Sequence, residues 1–291
     1  MELTSHQLSK LSPAEKRKLL IEALSFIEGF KDKIVVIKYG GAAMIQETFK
    51  KSFAEDLVLL QSLGLRPVVV HGGGPEVTKT IEHYGLESDF IDGLRVTDIM
   101  SLKISEMVLS GTINKEIVAN LNEKGGLGVG LSGKDGRMIQ AKKLEHPTKD
   151  LGYVGEIENI NPDLILTLIE NHYIPVISPI GMGIDGGSYN INADTVAAHI
   201  GVALRAQKII FLTDVVGILK DKLLISKLNI KEAEELIESG VISGGMVPKI
   251  KGMLHSLRNG VGSSHIISGM DHHAVISELF TEKGTGTMIV S

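Results

Sequence analysis

The 291-residue chain contains no cysteine. Disulfides, thiolate metal sites and a cysteine nucleophile are thereby excluded, and the composition fits a reducing, cytoplasmic setting. Its 30 lysines and arginines form no long basic run and are outnumbered by 35 aspartates and glutamates, for a net charge of -5. Nucleic-acid binding needs clustered Lys and Arg to meet phosphates, so a nucleic-acid partner is not expected. No window of about 18 apolar residues exists that could span a membrane. The opening MELTSHQLSK lacks a basic start followed by an apolar run, so no signal peptide is expected. Two catalytic signatures are missing as well, the G-x-x-x-x-G-K-[ST] of P-loop kinases and the G-x-S-x-G of α/β-hydrolases. His272-His273 has no companion ligands at metal-binding spacing, so no metal ligand is named.

What is present is the profile of a globular protein with a core, 43% hydrophobic and 22% charged. The 33 glycines cluster at 40–41, 72–74, 125–130, 186–187, 244–245 and 284–286, mostly where apolar runs end. In α/β proteins those are the places where loops meet ligands. Ser12-Pro13-Ala14-Glu15 supplies a capping serine, a proline at the first helical position and a glutamate three residues after the cap. With Leu19, Leu20, Ala23, Leu24 and Ile27 at helical spacing, residues 13–28 are expected to form an amphipathic arm ahead of the main fold. Its apolar stripe needs a partner surface, either another copy or its own domain.

KIVVIK (33–38), RPVVVH (66–71), PVISPI (175–180), KIIFLT (208–213), 264–268 and 287–290 read as strands. Helices are expected over 47–63, 75–84, 98–122, 162–172, 194–205, 231–238, 246–258 and 273–280, with hairpins between 128 and 158. Strands alternating with helices imply parallel pairing through right-handed crossovers. The expected fold is α/β, with an arm (1–30) and two lobes (31–180 and 181–291) sharing a mostly parallel sheet.

Three glycine-rich turns follow strands. Lys38-Tyr39-Gly40-Gly41 places an ammonium at the rim of the sheet beside glycines that let backbone N–H groups approach a phosphate. Gly72-Gly73-Gly74-Pro75 at a helix start makes an anion cradle from free N–H groups and the helix dipole. Asn190-Ile191-Asn192-Ala193-Asp194 opens another helix, where Asp194 suits an N-cap that can also hold cations. Asp214 follows KIIFLT, and Lys249 lies near a further helix start, where position alone reads as a surface lysine. Gly128-Val129-Gly130-Leu131-Ser132-Gly133 matches G-x-G-x-x-G but leads into a turn, so a dinucleotide site is rejected.

Taken in order, these segments together with Gly93-Leu94-Arg95-Val96-Thr97, Leu212-Thr213-Asp214-Val215-Val216-Gly217-Ile218 and Gly244-Gly245-Met246-Val247-Pro248-Lys249 resemble the amino acid kinase family. Within it they resemble the branch that phosphorylates N-acetyl-L-glutamate. The likeness runs from about residue 31 to 291. It implies a three-layer αβα sandwich, with the acceptor in the first lobe and ATP, accompanied by Mg2+, in the second. By resemblance, Lys38 and Lys249 stabilise the transferred phosphoryl group and Asp194 positions both lysines. Gly41 and Gly73 donate backbone N–H groups to that phosphoryl. Gly73, Gly74, Arg95 and Asn190 hold the acceptor, and Gly40, Gly41, Thr213 and Asp214 lie at the nucleotide site. The arm resembles that of arginine-inhibited members, in which arms interlace dimers into a hexamer. Lys208, Glu278 and Gly284 are then candidates for an arginine effector site, although Asp271-His272 and Ser277 depart from the usual pattern. Open alternatives are an N-acetylaminoadipate kinase, another amino acid kinase and a non-catalytic arginine-sensing module.

Overall fold

The computed structural model of the protein describes residues 12–281 and 284–291. The first eleven residues of the expected arm, and Glu282 and Lys283 of the candidate arginine segment, lie outside the described residues. Helix α1 (Pro13–Phe30) opens with the capping box read from the sequence: Ser12 accepts from the Glu15 N–H, and Glu15 reaches back to Ser12. The chain continues through β1 (Ile34–Tyr39), a 3₁₀ turn (Gly41–Met44), α2 (Glu47–Ser62), β2 (Arg66–His71), α3 (Gly74–His83) and the short hairpin β3 (Phe90–Ile91) and β4 (Leu94–Arg95). Next come α4 (Ile99–Glu106), a π-helical stretch (Met107–Ile113), α5 (Asn114–Glu123), β5 (Gly128–Ser132), β6 (Ile139–Lys143) and β7 (Gly155–Ile160). Then follow α6 (Asp163–Glu170), β8 (Ile174–Ser178), β9 (Ile180–Met182), β10 (Ser188–Asn190), α7 (Ala193–Ala203) and β11 (Lys208–Thr213). The remainder is β12 (Leu219–Lys220), β13 (Leu223–Leu224), β14 (Lys227–Asn229), α8 (Ile230–Glu238), α9 (Met246–Arg258), β15 (Ser263–Ser268), α10 (Ala274–Leu279) and β16 (Thr287–Val290).

Eight strands form the main sheet in the order β14-β16-β15-β11-β1-β2-β8-β5. Every pairing is parallel except β15 with β16. β1 lies between β2 and β11, and the chain runs outward from it to both sides, which makes its carboxyl end a switch point where ligands of open α/β sheets bind. Alternate residues of β1 and β2 face opposite cores. Val36, Val68 and Val70 pack with Val196, Ile200, Ile250 and Met253, whereas Val35, Ile37 and Val69 pack with Phe53, Leu57, Val77 and Ile81. Both sheet faces are thus covered by helices, the reason these strands read as continuous apolar runs. The result is the expected three-layer sandwich.

Several sequence expectations change. The helix expected over 98–122 contains the π-helical stretch Met107–Ile113. Gly128–Ser132 is not part of a hairpin but a parallel edge strand paired with β8, while β6 and β7 do pair antiparallel, in a second sheet with β9 and β10. The cap of α7 is Asn192, whose side chain accepts from the N–H groups of Asp194 and Thr195, so Asp194 is not the N-cap. The apolar stripe of α1 is not covered by its own domain: Leu20 is 63% and Leu24 60% exposed. The other end of that helix does touch the body, with the Phe30 ring edge-on to Phe280 at 6.4 Å.

Candidate active site

Lys38 is the penultimate residue of β1, and Asp194 and Lys249 stand in the first turns of α7 and α9. These three elements start or end at one edge of the sheet and bring the side chains together. Lys249 Nζ donates to Asp194 Oδ2 at 2.6 Å, and Lys38 Nζ lies 3.1 Å from Asp194 Oδ1. All three side chains are largely buried, at 12%, 15% and 10% exposure for Lys38, Asp194 and Lys249. Lys249 is therefore not the surface lysine its position suggested. Burial alone would raise the Asp194 pKa, but the two ammonium groups outweigh it and hold the carboxyl below its usual range. Burial pushes the Lys249 ammonium down, opposed by Asp194. The cluster carries two positive charges against one negative, a net cation enclosed in protein that is suited to a polyanionic ligand.

The glycine turns surround this cluster. Gly41 has φ 73°, and a Cβ there would come within 2.3 Å of Asp214 Oδ1, so a side chain is excluded on both counts. Asp214 directly follows β11, and its charge also bears on Lys249. Thr213, the last residue of β11, accepts through its carbonyl from Gly269 N–H at 2.9 Å. Gly73 has φ 155°, and a Cβ there would lie 2.3 Å from Ile113 Cδ1 and 2.8 Å from Leu109 Cδ2. The π-helical stretch places both of those side chains against the glycine, so its wide turn shapes the site. His71, at the end of β2, donates from Nδ1 to the Gly72 carbonyl at 2.8 Å and accepts from Asn114 Nδ2 at 3.2 Å. Burial pushes its pKa down to about 4, so it is neutral.

A cavity of about 560 Å³ opens beside Lys38 and Asp194. Gly40, Gly41, Gly73, Gly74, Arg95 and Asn190 line it as well. Arg95 is fixed in place: its guanidinium donates to the Gly74 carbonyl (3.0 Å), Thr78 Oγ1 (2.6 Å) and Ser88 Oγ, and stacks 4.7 Å over Phe90. Burial lowers its pKa, with Glu82 opposing. Three of the five N–H donors of a guanidinium are thus engaged, which leaves donors for a ligand. Asn190 Nδ2 donates to Thr97 Oγ1 at 3.3 Å.

Sequence reading missed other residues of this wall. Lys50 bridges Glu47 (2.9 Å) and Glu116 (2.5 Å), and Lys50 and Glu116 both line the cavity. The three-residue spacing of Glu47 and Lys50 on a helix was a readable signal, but nothing local ties Lys50 to Glu116. His273, half of the apparent histidine motif, donates from Nδ1 to the buried Asp56 at 2.6 Å, and the His272 ring packs tilted against Phe49, 5.3 Å between centroids.

Lys208, Glu278 and Gly284 also lie together, away from this cavity. Glu278 Oε1 accepts from His265 Nδ1 at 2.5 Å, and Oε2 accepts from the Thr285 N–H at 2.6 Å. Burial favours the neutral acid, but these donors outweigh it and keep the Glu278 pKa low. A Cβ at Gly284 would lie 2.7 Å from Glu278 Oε2. Lys208 Nζ sits 4.8 Å over the Phe30 ring; burial lowers its pKa, with Glu278 opposing.

A strand-end lysine, glycine turns and a two-lysine carboxylate cluster on an αβα sandwich describe a phosphoryl-transfer fold without a P-loop. The profile of the amino acid kinase family matches residues 33–268, and the chain belongs to that family. More particularly, it is 50% identical over 286 residues to the acetylglutamate kinase of Desulforamulus reducens, covering 97% of this chain and 99% of that one. It is 51% identical to the acetylglutamate kinase of Moorella thermoacetica, over 96% of this chain and 99% of the relative. Among solved structures, the N-acetylglutamate synthase of Neisseria gonorrhoeae, complexed with coenzyme A and N-acetyl-glutamate, superposes with TM-score 0.86 at 27% identity. That likeness covers 94% of this chain and 63% of the synthase, so it speaks for a shared domain. The smu.665 protein of Streptococcus mutans gives TM-score 0.76 at 31% identity, over 88% of this chain and 98% of that one.

Proposed function

We propose that the protein transfers the γ-phosphoryl group of ATP to the side-chain carboxylate of N-acetyl-L-glutamate, forming the acyl phosphate N-acetyl-L-glutamyl 5-phosphate in arginine biosynthesis. The observation that carries this reading is the cation cluster of Lys38, Asp194 and Lys249 beside a cavity furnished with Arg95 and Asn190. Near full-length identity of about half to acetylglutamate kinases supports the choice of acceptor.

In this reaction the charge sits on the equatorial oxygens of the phosphoryl group, so catalysis is mainly positioning and electrostatics. Lys38 and Lys249 supply the two positive charges that let two anions meet. Asp194 holds both lysines in place and, being ionised, keeps them charged. Backbone N–H groups of Gly41 and Gly73 add donors at the glycine turns. Arg95 takes the acceptor's α-carboxylate in a bidentate grip, which lysine cannot make. Gly74 and Arg95, from the lobe of residues 31–180, and Asn190, at the start of the lobe of residues 181–291, form the acceptor side. Thr213 and Asp214, in the lobe of residues 181–291, border the nucleotide together with Gly40, which reaches it from the end of β1. The attacking carboxylate is ionised at neutral pH, so no general base is needed. Magnesium would accompany ATP.

The uncovered stripe of α1 supports a homo-oligomer joined through that helix, and a single monomer-sized species in light scattering would exclude it. The Lys208, Glu278 and Gly284 cluster at the foot of the same helix supports an arginine effector site. The reaction itself is tested by incubating purified protein with ATP, Mg2+ and N-acetylglutamate, measuring ADP and trapping the acyl phosphate with hydroxylamine. Acetylglutamate-dependent ADP matched by hydroxamate is expected; ADP release without it would contradict the reading. The same assay with N-acetylaminoadipate measures chain-length selectivity, since one methylene is worth only about 1–3 kcal/mol.

A further inference from the structure

The turn that carries Gly40 and Gly41 has little of its own to hold it. Its residues Gly40, Gly41, Ala42 and Ala43 bear at most a methyl group, and only one 3₁₀ turn (Gly41–Met44) forms there. Such a segment loses much conformational entropy when it is fixed in one shape. Yet its shape is closely set: Gly41 lies against the Asp214 carboxylate, and a Cβ on Gly40 would fall 2.4 Å from Lys38 Nζ. Any drift of the turn therefore moves groups packed on Lys38 of the cation cluster and on Asp214, whose charge bears on Lys249.

Tyr39 supplies the missing anchor. It ends β1, directly after Lys38, and is only 2% exposed. Its phenol hydroxyl donates to the carbonyl of Ala43 at 2.7 Å, closing the turn across four residues. Its ring stacks flat on Phe53 of α2, with centroids 3.9 Å apart and planes 6° from parallel. Phe53 and Tyr39 both line the acceptor cavity. One buried side chain thus joins the strand that carries Lys38, the glycine turn and the helix that walls the acceptor. Burial pushes the phenol pKa up, so the hydroxyl keeps its proton throughout the working pH range.

We propose that Tyr39 is a positioning residue for phosphoryl transfer, its hydroxyl holding the Gly40–Ala43 turn in the form that presents backbone donors to the transferred phosphoryl group. This rests on the reaction proposed above. The hydroxyl is taken up by the Ala43 carbonyl, so Tyr39 acts through the turn. Because the turn's donors count most when charge develops, their loss belongs in kcat, whereas ground-state binding through Arg95 is untouched.

The test is Tyr39→Phe, which keeps the ring and its stack and removes the donor alone. A hydrogen bond of typical net worth sets the expected fall in kcat at about tenfold, with both KM values within about twofold. Amide hydrogen exchange of Gly41–Met44 should quicken in the variant while exchange in the core strands is unchanged. Phe53→Leu, which keeps the hydroxyl but removes the stack, should give a smaller fall in kcat. A Tyr39→Phe enzyme with kcat within twofold of the parent, or with unaltered exchange in the turn, overturns the proposal, as does a lower melting temperature with unchanged turnover. The parent enzyme measured alongside separates the two ideas. If it forms no acetylglutamate-dependent ADP, the reaction is wrong; if it is active and Tyr39→Phe matches it, the role of Tyr39 is wrong. The exchange measurement reads the turn without any turnover.

Discussion

Replacing Lys249 by methionine isolates one positive charge of the cluster. Lys249 Nζ lies 2.6 Å from Asp194 Oδ2, and its side chain is only 10% exposed, so its charge acts with little screening by water. Methionine retains an unbranched apolar stem of similar length, which keeps the packing near Phe211, whose ring lies 5.9 Å from the ammonium. Asp194 keeps Lys38 at 3.1 Å as its counter-ion, so no buried carboxylate is left wholly unpaired and the fold should survive. What is lost is one preorganised charged donor to the transferred phosphoryl. Removing a comparable donor costs about 2.7–4 kcal/mol of transition-state stabilisation, or about 10²–10³ in kcat. Steady-state ADP release, with ATP and N-acetylglutamate each varied, should show that fall in kcat with modest changes in either KM. A variant that turns over within threefold of the parent would refute the assignment of Lys249 to the phosphoryl group.

Arg95→Lys should raise KM for N-acetylglutamate by about tenfold or more and leave that for ATP near its original value, because lysine cannot reproduce the fixed two-donor fork; a change confined to the ATP KM would contradict the acceptor role. His71 gives a pH signature. Its folded pKa of about 4 lies below the ordinary 6.5, so as pH falls through that interval the unfolded chain binds a proton the folded chain refuses. Its contribution to stability is full above pH 6.5, declines below it and levels off under pH 4, with a total on the order of 3 kcal/mol. Urea unfolding of His71→Gln across that range should show a flatter pH dependence than the parent, and an identical slope would exclude the assignment. Millimolar arginine should raise the thermal midpoint if the Glu278 cluster binds it, and an unmoved midpoint would remove that effector.

The strands were legible because each is a β-branched run buried on both faces, as in IVVIKY and RPVVVH, and the crossovers between them fix parallel order. Glycine-rich β5 was misread as part of a hairpin: Val129 and Leu131 alternate with small residues as in a strand, but its parallel pairing with β8 is encoded by no local pattern. The π-helical stretch was not legible because Gly111 and the β-branched Val108, Thr112 and Ile113 weaken helix propensity without specifying a wide turn, while the apolar spacing of the helix continues through it. Asn192 and Asp194 are both good capping residues two positions apart, so sequence alone could not tell which one caps α7 and which one faces the lysines. The burial of Lys249 was not readable either, since its partner Asp194 lies 55 residues away. The same holds for the Lys50–Glu116 contact and for Asp56, a carboxylate on an apolar helix face that is matched by His273 from the far end of the chain.

The claim on which all of this turns is that two ammonium groups, held by one aspartate, share a single γ-phosphoryl group. It is tested most directly by a crystal structure of the protein with a non-hydrolysable ATP analogue, Mg2+ and N-acetylglutamate. Lys38 Nζ and Lys249 Nζ should both lie about 2.7–2.9 Å from γ-phosphoryl oxygens, with the acceptor carboxylate in line. A complex in which the γ-phosphoryl group binds elsewhere, or meets only one of the two lysines while the acceptor is in place, would contradict the account.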